Sequence, residues 1–158
     1  MIDLRFFNRK QAMKNLREKL VKAALQWERA FGVAPSITSA ISEFDAAMLV
    51  RCAIDKYSES MQGTTAVRKG FDFIHNDKKY QVKGNRPSGK PGSKVTKVSK
   101  AKNYDWDYLV WVLYDPSYQI QEAWCWTMSD YADAFDARER LSPDDMRMGK
   151  GERLELIP

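Results

Sequence analysis

A layered α/β domain, in which a mixed central β-sheet is flanked by helices on both sides, is predicted by three features of the chain. Two helical stretches precede the first strand signal. A strand-turn-strand pattern occupies Gly70 to Gly84, and a nearly continuous apolar run, Tyr108 to Tyr114, has strand length and suits a strand covered on both faces. Helices before and after a run of strands argue an α/β layered domain.

The helices come first. Met13, Leu16, Leu20, Ala24, Trp27 and Phe31 recur at three- and four-residue steps, with Lys10, Lys14, Arg17 and Lys22 elsewhere on the wheel. This predicts an amphipathic helix that ends near Gly32. After a break at Pro35 and Ser36, a second helix is predicted from Thr38 to about Tyr57. Its apolar positions, Ile41, Phe44, Ala47, Met48, Leu49, Val50 and Ile54, run almost all the way round, as in a buried helix.

The strand-turn-strand segment reads GFDFIHNDKKYQVKG. With Asn76 and Asp77 as the central turn residues, both tolerant of positive φ, Ile74 faces Lys79, Phe73 faces Tyr80, Asp72 faces Gln81 and Phe71 faces Val82. Phe71, Phe73, Tyr80 and Val82 then share one face. Asp72 and Gln81 sit opposite each other on the other face, with Lys83 beside them. One reading is a wet hairpin surface carrying an Asp72 to Lys83 ion pair; the other is a polar cleft beneath the second helix, whose stripe Glu43, Ala47, Val50, Ile54 begins with a carboxylate.

The Gly- and Pro-rich loop GNRPSGKPGSK follows. QIQEAWCWT pairs with the apolar run across a turn at Asp115 and Pro116, and SDYADAF forms a helix capped by Ser129 or Asp130. The tail from Ser142 is polar, with RLELI as a candidate edge strand. The chain divides as one domain over 1–158: a helical N-terminal segment 1–34, a core of about 38–140 and a C-terminal tail 141–158.

Composition narrows the class. The 158 residues are 44% hydrophobic, enough to bury a core without disulfide or metal staples, and Cys52 and Cys125 sit in apolar surroundings as buried thiols of a reducing compartment. Tyr108 to Tyr114 is far too short to span a bilayer, and Asp3, Arg5, Arg9 and Lys10 stand where a signal peptide is apolar, so a cytoplasmic setting with no membrane partner is expected. The net charge is +5, yet Lys83, Arg86, Lys90, Lys94, Lys97, Lys100 and Lys102 form a run without an acid, leaving the remainder net acidic. A localised basic segment is the footprint of a polyanion or, alternatively, a solvated loop.

Taken together, a helix carrying Glu43, a strand carrying Asp72, a strand with Gln81-Val82-Lys83 and a further core strand resemble the restriction-endonuclease-like superfamily, the PD-(D/E)XK nucleases, over Thr38 to Phe135. Gly70 and Phe71 stand where the name-giving Pro would be, and Gln81 stands for an acid, a variant similar to the sites of some restriction and homing enzymes. The resemblance implies Glu43, Asp72, Gln81 and Lys83 as catalytic residues, and Glu43, Asp72 and the Val82 carbonyl as ligands of Mg²⁺, with Mn²⁺ able to substitute. It further implies DNA as partner, held by Arg86, Lys90, Lys94, Lys97, Lys100 and Lys102, and a homodimer. Those residue types suit phosphodiester hydrolysis: hard anionic oxygens for the cation, and a lysine beside the attacking water. The alternatives are a DNA-binding module with a degenerate, inactive nuclease core and an RNA-binding or protein-interaction domain.

Other patterns point elsewhere and fail. Gly84 to Lys90 has Walker A spacing, but Pro91 replaces the Mg²⁺-binding hydroxyl and with Gly92 prevents the following helix. Ser99 to Lys102 spells S-x-x-K in a loop rich in both residues, and His75, beside a turn, has no second histidine with which to build a metal site or triad. Most of the aromatic residues between Tyr104 and Trp126 are expected in the core, with Tyr104 and Trp106 the candidates for base stacking.

Overall fold

The computed structural model describes residues 3–63 and 70–156. Its elements, in chain order, are α1 (Leu4–Phe31), α2 (Thr38–Leu49), α3 (Ile54–Gln62), β1 (Phe73–His75), β2 (Lys78–Asn85), β3 (Tyr108–Tyr114), β4 (Ile120–Thr127), α4 (Met128–Phe135), α5 (Pro143–Arg147) and β5 (Glu152–Arg153). The five strands lie in the order β1-β2-β3-β4-β5. Only β2 and β3 are parallel; the other neighbours are antiparallel, so the sheet is mixed. Among the described residues no helix is long and apolar enough to cross a membrane.

The hairpin has the expected register, Phe73 opposite Tyr80 and Ile74 opposite Lys79. Asn76 and Asp77 both take positive φ, 50° and 61°, the requirement of a two-residue turn matching the strand twist. Strand β3 divides the core. Val110, Val112 and Tyr114 face one cluster with Ile41, Ala46 and Ala47 of α2, while Leu109 and Trp111 face another with Trp126, Tyr131, Phe135 and Met146. Period-two alternation thus feeds two apolar layers, one beneath α2 and one beneath α4 and α5. Trp106, expected as a candidate for base stacking, is 3% exposed within the second layer.

Several boundaries differ from the sequence reading. The second helix does not continue to Tyr57: it ends at Leu49, Arg51 takes φ 66°, and the N–H groups of Arg51 and Cys52 return to the carbonyls of Met48 and Ala47. That is a Schellman closure built on a non-glycine residue, and it places Ile54 on a separate helix from Glu43. Phe71 packs in the second layer rather than with Phe73, because the chain bends at Gly70 (φ 89°) and pairing begins only at Phe73. Helix α4 is capped by Thr127, whose Oγ1 accepts from the Asp130 N–H, not by Ser129 or Asp130. In the tail, Ser142 and Asp145 form a capping box that starts α5. The edge pairing is made by Glu152 and Arg153, and Ile157 of RLELI lies outside the described residues.

Helix α1 ends at Phe31 and is capped by Gly32, as expected. It begins at Leu4, capped by the Asp3 carboxylate, and only Val21 and Ala24 are buried along it. Its attachment is largely polar. Arg17 donates to both carboxylate oxygens of Asp45, at 2.7 and 2.8 Å, and to the Tyr118 carbonyl, while the Tyr114 hydroxyl also donates to Asp45. This satisfied network holds the 5%-exposed Asp45, while Leu16, Leu20, Trp27 and Phe31 of the apolar repeat are exposed.

Candidate active site

Helix α2 and strand β2 meet at a polar cleft of about 260 Å³ lined by Ser39, Ser42, Glu43, Asp72, Gln81, Val82, Lys83, Gly84, Asn85 and Ser99. All four residues expected to be catalytic, Glu43, Asp72, Gln81 and Lys83, lie on its wall, as does Val82. Two local features bring them there. The hairpin register puts Asp72 beside Gln81, and Gly84 lets α2 approach: a Cβ at that position would come within 2.5 Å of the Ser42 Cβ and 2.6 Å of its Oγ. No other residue permits that contact without a shift.

Asp72 is the centre of the cleft's hydrogen bonding. Its Oδ2 accepts the Val82 N–H at 2.7 Å and the Gln81 Nε2 at 2.9 Å, and its own N–H donates to the Tyr80 carbonyl. The carboxylate is therefore oriented by main chain and by its cross-strand neighbour. Burial holds the Lys83 ammonium below the ordinary lysine pKa, Asp72 pulling the other way and Lys102 adding repulsion. A half-buried lysine whose charged form is disfavoured by burial, beside an oriented carboxylate, is suited to handling a proton at an anionic substrate.

Among the described residues no group of three or more His, Cys, Asp or Glu could hold a metal ion. The oxygen donors of the cleft are two carboxylates, Glu43 and Asp72, with the Gln81 amide, hydroxyls and main-chain carbonyls. That set fits Mg²⁺, which uses one or two carboxylates and keeps several waters, better than Zn²⁺, which wants nitrogen or sulfur.

The basic segment separates into two kinds of residue. Lys90, Lys94, Lys97 and Lys102 are exposed. Arg86 is otherwise engaged: its guanidinium is paired with Glu28 of α1 at 2.9 Å, donates to the Pro116 carbonyl, stacks over Tyr118 and has a side chain only 7% exposed. Lys100 donates to the carbonyls of Asp136 and Arg138 just past α4. Both anchor the loop, so two of the cations expected to hold DNA are engaged within the chain. Asn85 adds a third tie, accepting from Trp111 Nε1 and donating to the Lys97 carbonyl, and Val98 bridges to Leu141. Tyr104, the other stacking candidate, donates its hydroxyl to Asp136.

Sequence reasoning did not find Ser39, Ser42, Asn85 or Ser99 in the cleft. The glycine following Lys83 was the available signal, since a glycine inside a strand marks close approach. Neither the models of known protein families nor the curated proteins compared with this chain match it.

Proposed function

We propose that the protein is a Mg²⁺-dependent DNA endonuclease with a restriction-endonuclease-like core, hydrolysing phosphodiester bonds in a reducing, cytoplasmic setting. The observation that carries this reading is the convergence of Glu43, Asp72, Gln81 and Lys83 on one polar cleft beside exposed lysines. Glu43 and Asp72, with the Val82 carbonyl and the Gln81 amide oxygen, would hold the cation. When bound, Mg²⁺ supplies the positive charge that phosphoryl oxygens need as the transition state forms. Asp72 is held in position by the Val82 N–H and Gln81. Lys83 takes the proton of the attacking water or, when charged, steadies the phosphate. Lys90, Lys94, Lys97 and Lys102 hold the DNA backbone.

Plasmid incubated with the protein should be nicked or linearised with Mg²⁺ or Mn²⁺ and left intact with EDTA. Asp72→Asn and Lys83→Ala should lose cleavage and keep most binding, because one phosphate contact is small beside lost transition-state stabilisation. One observation favours a second reading, a DNA-binding module with an inactive core: Gln81 is neutral and gives its amide N–H to Asp72, so the cleft keeps its order without a cation. Duplex binding with no cleavage under any divalent ion would select that reading. Failure to bind DNA at all would overturn both.

A further inference from the structure

The exposed flank of α1 has a pattern that the cleft does not use. Met13, Leu16, Leu20, Ala23, Trp27 and Ala30 follow one another at steps of three, four, three, four and three residues, the a/d spacing of a coiled-coil seam. Along this seam Leu16 is 59% exposed, Leu20 41% and Trp27 55%. A strict two-in-seven stripe is narrower than the face a helix needs to pack on a sheet, and it is the stripe that a second helix takes. Beside it runs an apolar groove of about 320 Å³, its far wall formed by Phe44, Tyr57 and Met61 of α2 and α3.

We infer that this groove receives α1 of a second copy of the same chain, making a two-fold dimer whose centre is a helix pair. The seam must meet a helix of the same 3.5-residue repeat, and α1 itself supplies one. Phe6, Leu16, Leu20, Trp27 and Phe31, 41–68% exposed, together with the groove lining form an apolar strip along the length of α1 for a partner to cover. Charge agrees as well. The seam carries no charge between Ala12 and Phe31, and the cations on its inner flank are neutralised within the chain, Lys10 by Asp55 and Arg17 by Asp45 and Glu18. An acidic partner therefore has little to recognise there. A lipid surface is flat, whereas the groove is walled on both sides and takes a rod. An isologous contact closes on itself and leaves no further seam exposed.

Sedimentation velocity of the intact protein, read with far-UV circular dichroism, tests the inference independently of nuclease activity. The parent should sediment at twice the chain mass. Leu16→Glu with Leu20→Glu should halve that mass with helicity unchanged, since both positions are exposed in the single chain. Ala23→Arg, at an exposed position of good helix propensity, serves as the second variant should the first lose its fold, and it should halve the mass too. A parent that stays monomeric at its highest attainable concentration overturns the inference, as does a dimer indifferent to Ala23→Arg. A monomer that floats with phosphatidylserine vesicles would assign the seam to a lipid surface and equally overturn it.

Discussion

Ser42 and Gly84 meet where α2 crosses β2, and nothing larger than hydrogen fits between them. Because Glu43 follows Ser42 and Lys83 precedes Gly84, this contact spaces the two walls of the cleft. Gly84→Ala should cost about 1–3 kcal/mol, the usual penalty of overpacking, and should weaken cleavage through displaced carboxylates. Ser42→Gly in the same chain removes both atoms that the new Cβ meets and should restore melting temperature and activity together. If the double variant is no better than Gly84→Ala alone, the contact does not set the spacing. Gln81 offers a second test at this scale. Its Nε2 donates to Asp72, so Gln81→Glu replaces a hydrogen bond with two facing carboxylates. Without divalent cations the variant should melt lower than the parent, and added Mg²⁺ should raise its melting temperature more than the parent's. An equal response in both proteins would mean that the side chain does not face the cation.

The Glu28–Arg86 pair is the joint between α1 and the loop after β2, and a Cβ at Gly89 would run into the Glu28 carboxylate. Arg86's hydrogen bond, more than its charge, holds Glu28 below the ordinary glutamate pKa. A carboxylate depressed in the folded state contributes stability that is present above its unfolded pKa, about 4.3, and is lost as pH falls through the folded value. The melting-temperature gap between parent and Glu28→Gln should therefore be widest near neutrality and close in acid. A gap independent of pH would show that shape rather than charge joins these elements. The same scale shows how far elements were legible in the sequence. The hairpin register from Phe73 to Tyr80 could be read because Asn76 and Asp77 specify a two-residue turn, and β3 because an apolar run of strand length suits a strand covered on both faces. The α2 terminus could not: Arg51 closes it in a conformation that sequence signals reserve for glycine or asparagine. The orientation of α1 was equally hidden, since Arg17 reaching Asp45, 28 residues away, is tertiary information that outweighs an apolar periodicity. For the site, register and chemistry sufficed to bring Asp72, Gln81 and Lys83 together, and helix phase brought Glu43. Which cations of the basic run were spent on structure could not be read, because Glu28, Asp136 and Arg138 are remote in sequence from Arg86 and Lys100.

At the scale of the whole molecule, the division of the basic run decides how DNA binding should respond to salt. A helix-free connection between the parallel strands β2 and β3 would ordinarily be loose. Here Arg86, Asn85, Val98 and Lys100 tie it to α1, β3 and the segment after α4, so Lys94, Lys97 and Lys102 are carried on an anchored segment. Lysines held in place lose less freedom when they meet a phosphate than lysines on a mobile tail. Replacing Lys94, Lys97 and Lys102 together with Ala should weaken binding on every duplex sequence alike. The slope of log K against log salt should become shallower by up to about 2.7, three contacts at about 0.9 each. Lys102 adds a separate signature, because its charge helps to hold Lys83 below the ordinary lysine pKa. Its removal should raise that pKa and move any cleavage optimum that needs neutral Lys83 toward higher pH. Arg86→Ala provides the contrast: it should lower the melting temperature by releasing the loop from α1 while removing no exposed charge. Should the triple variant keep the parent's salt slope, those lysines do not meet the backbone, and the proposal that this segment holds DNA is overturned.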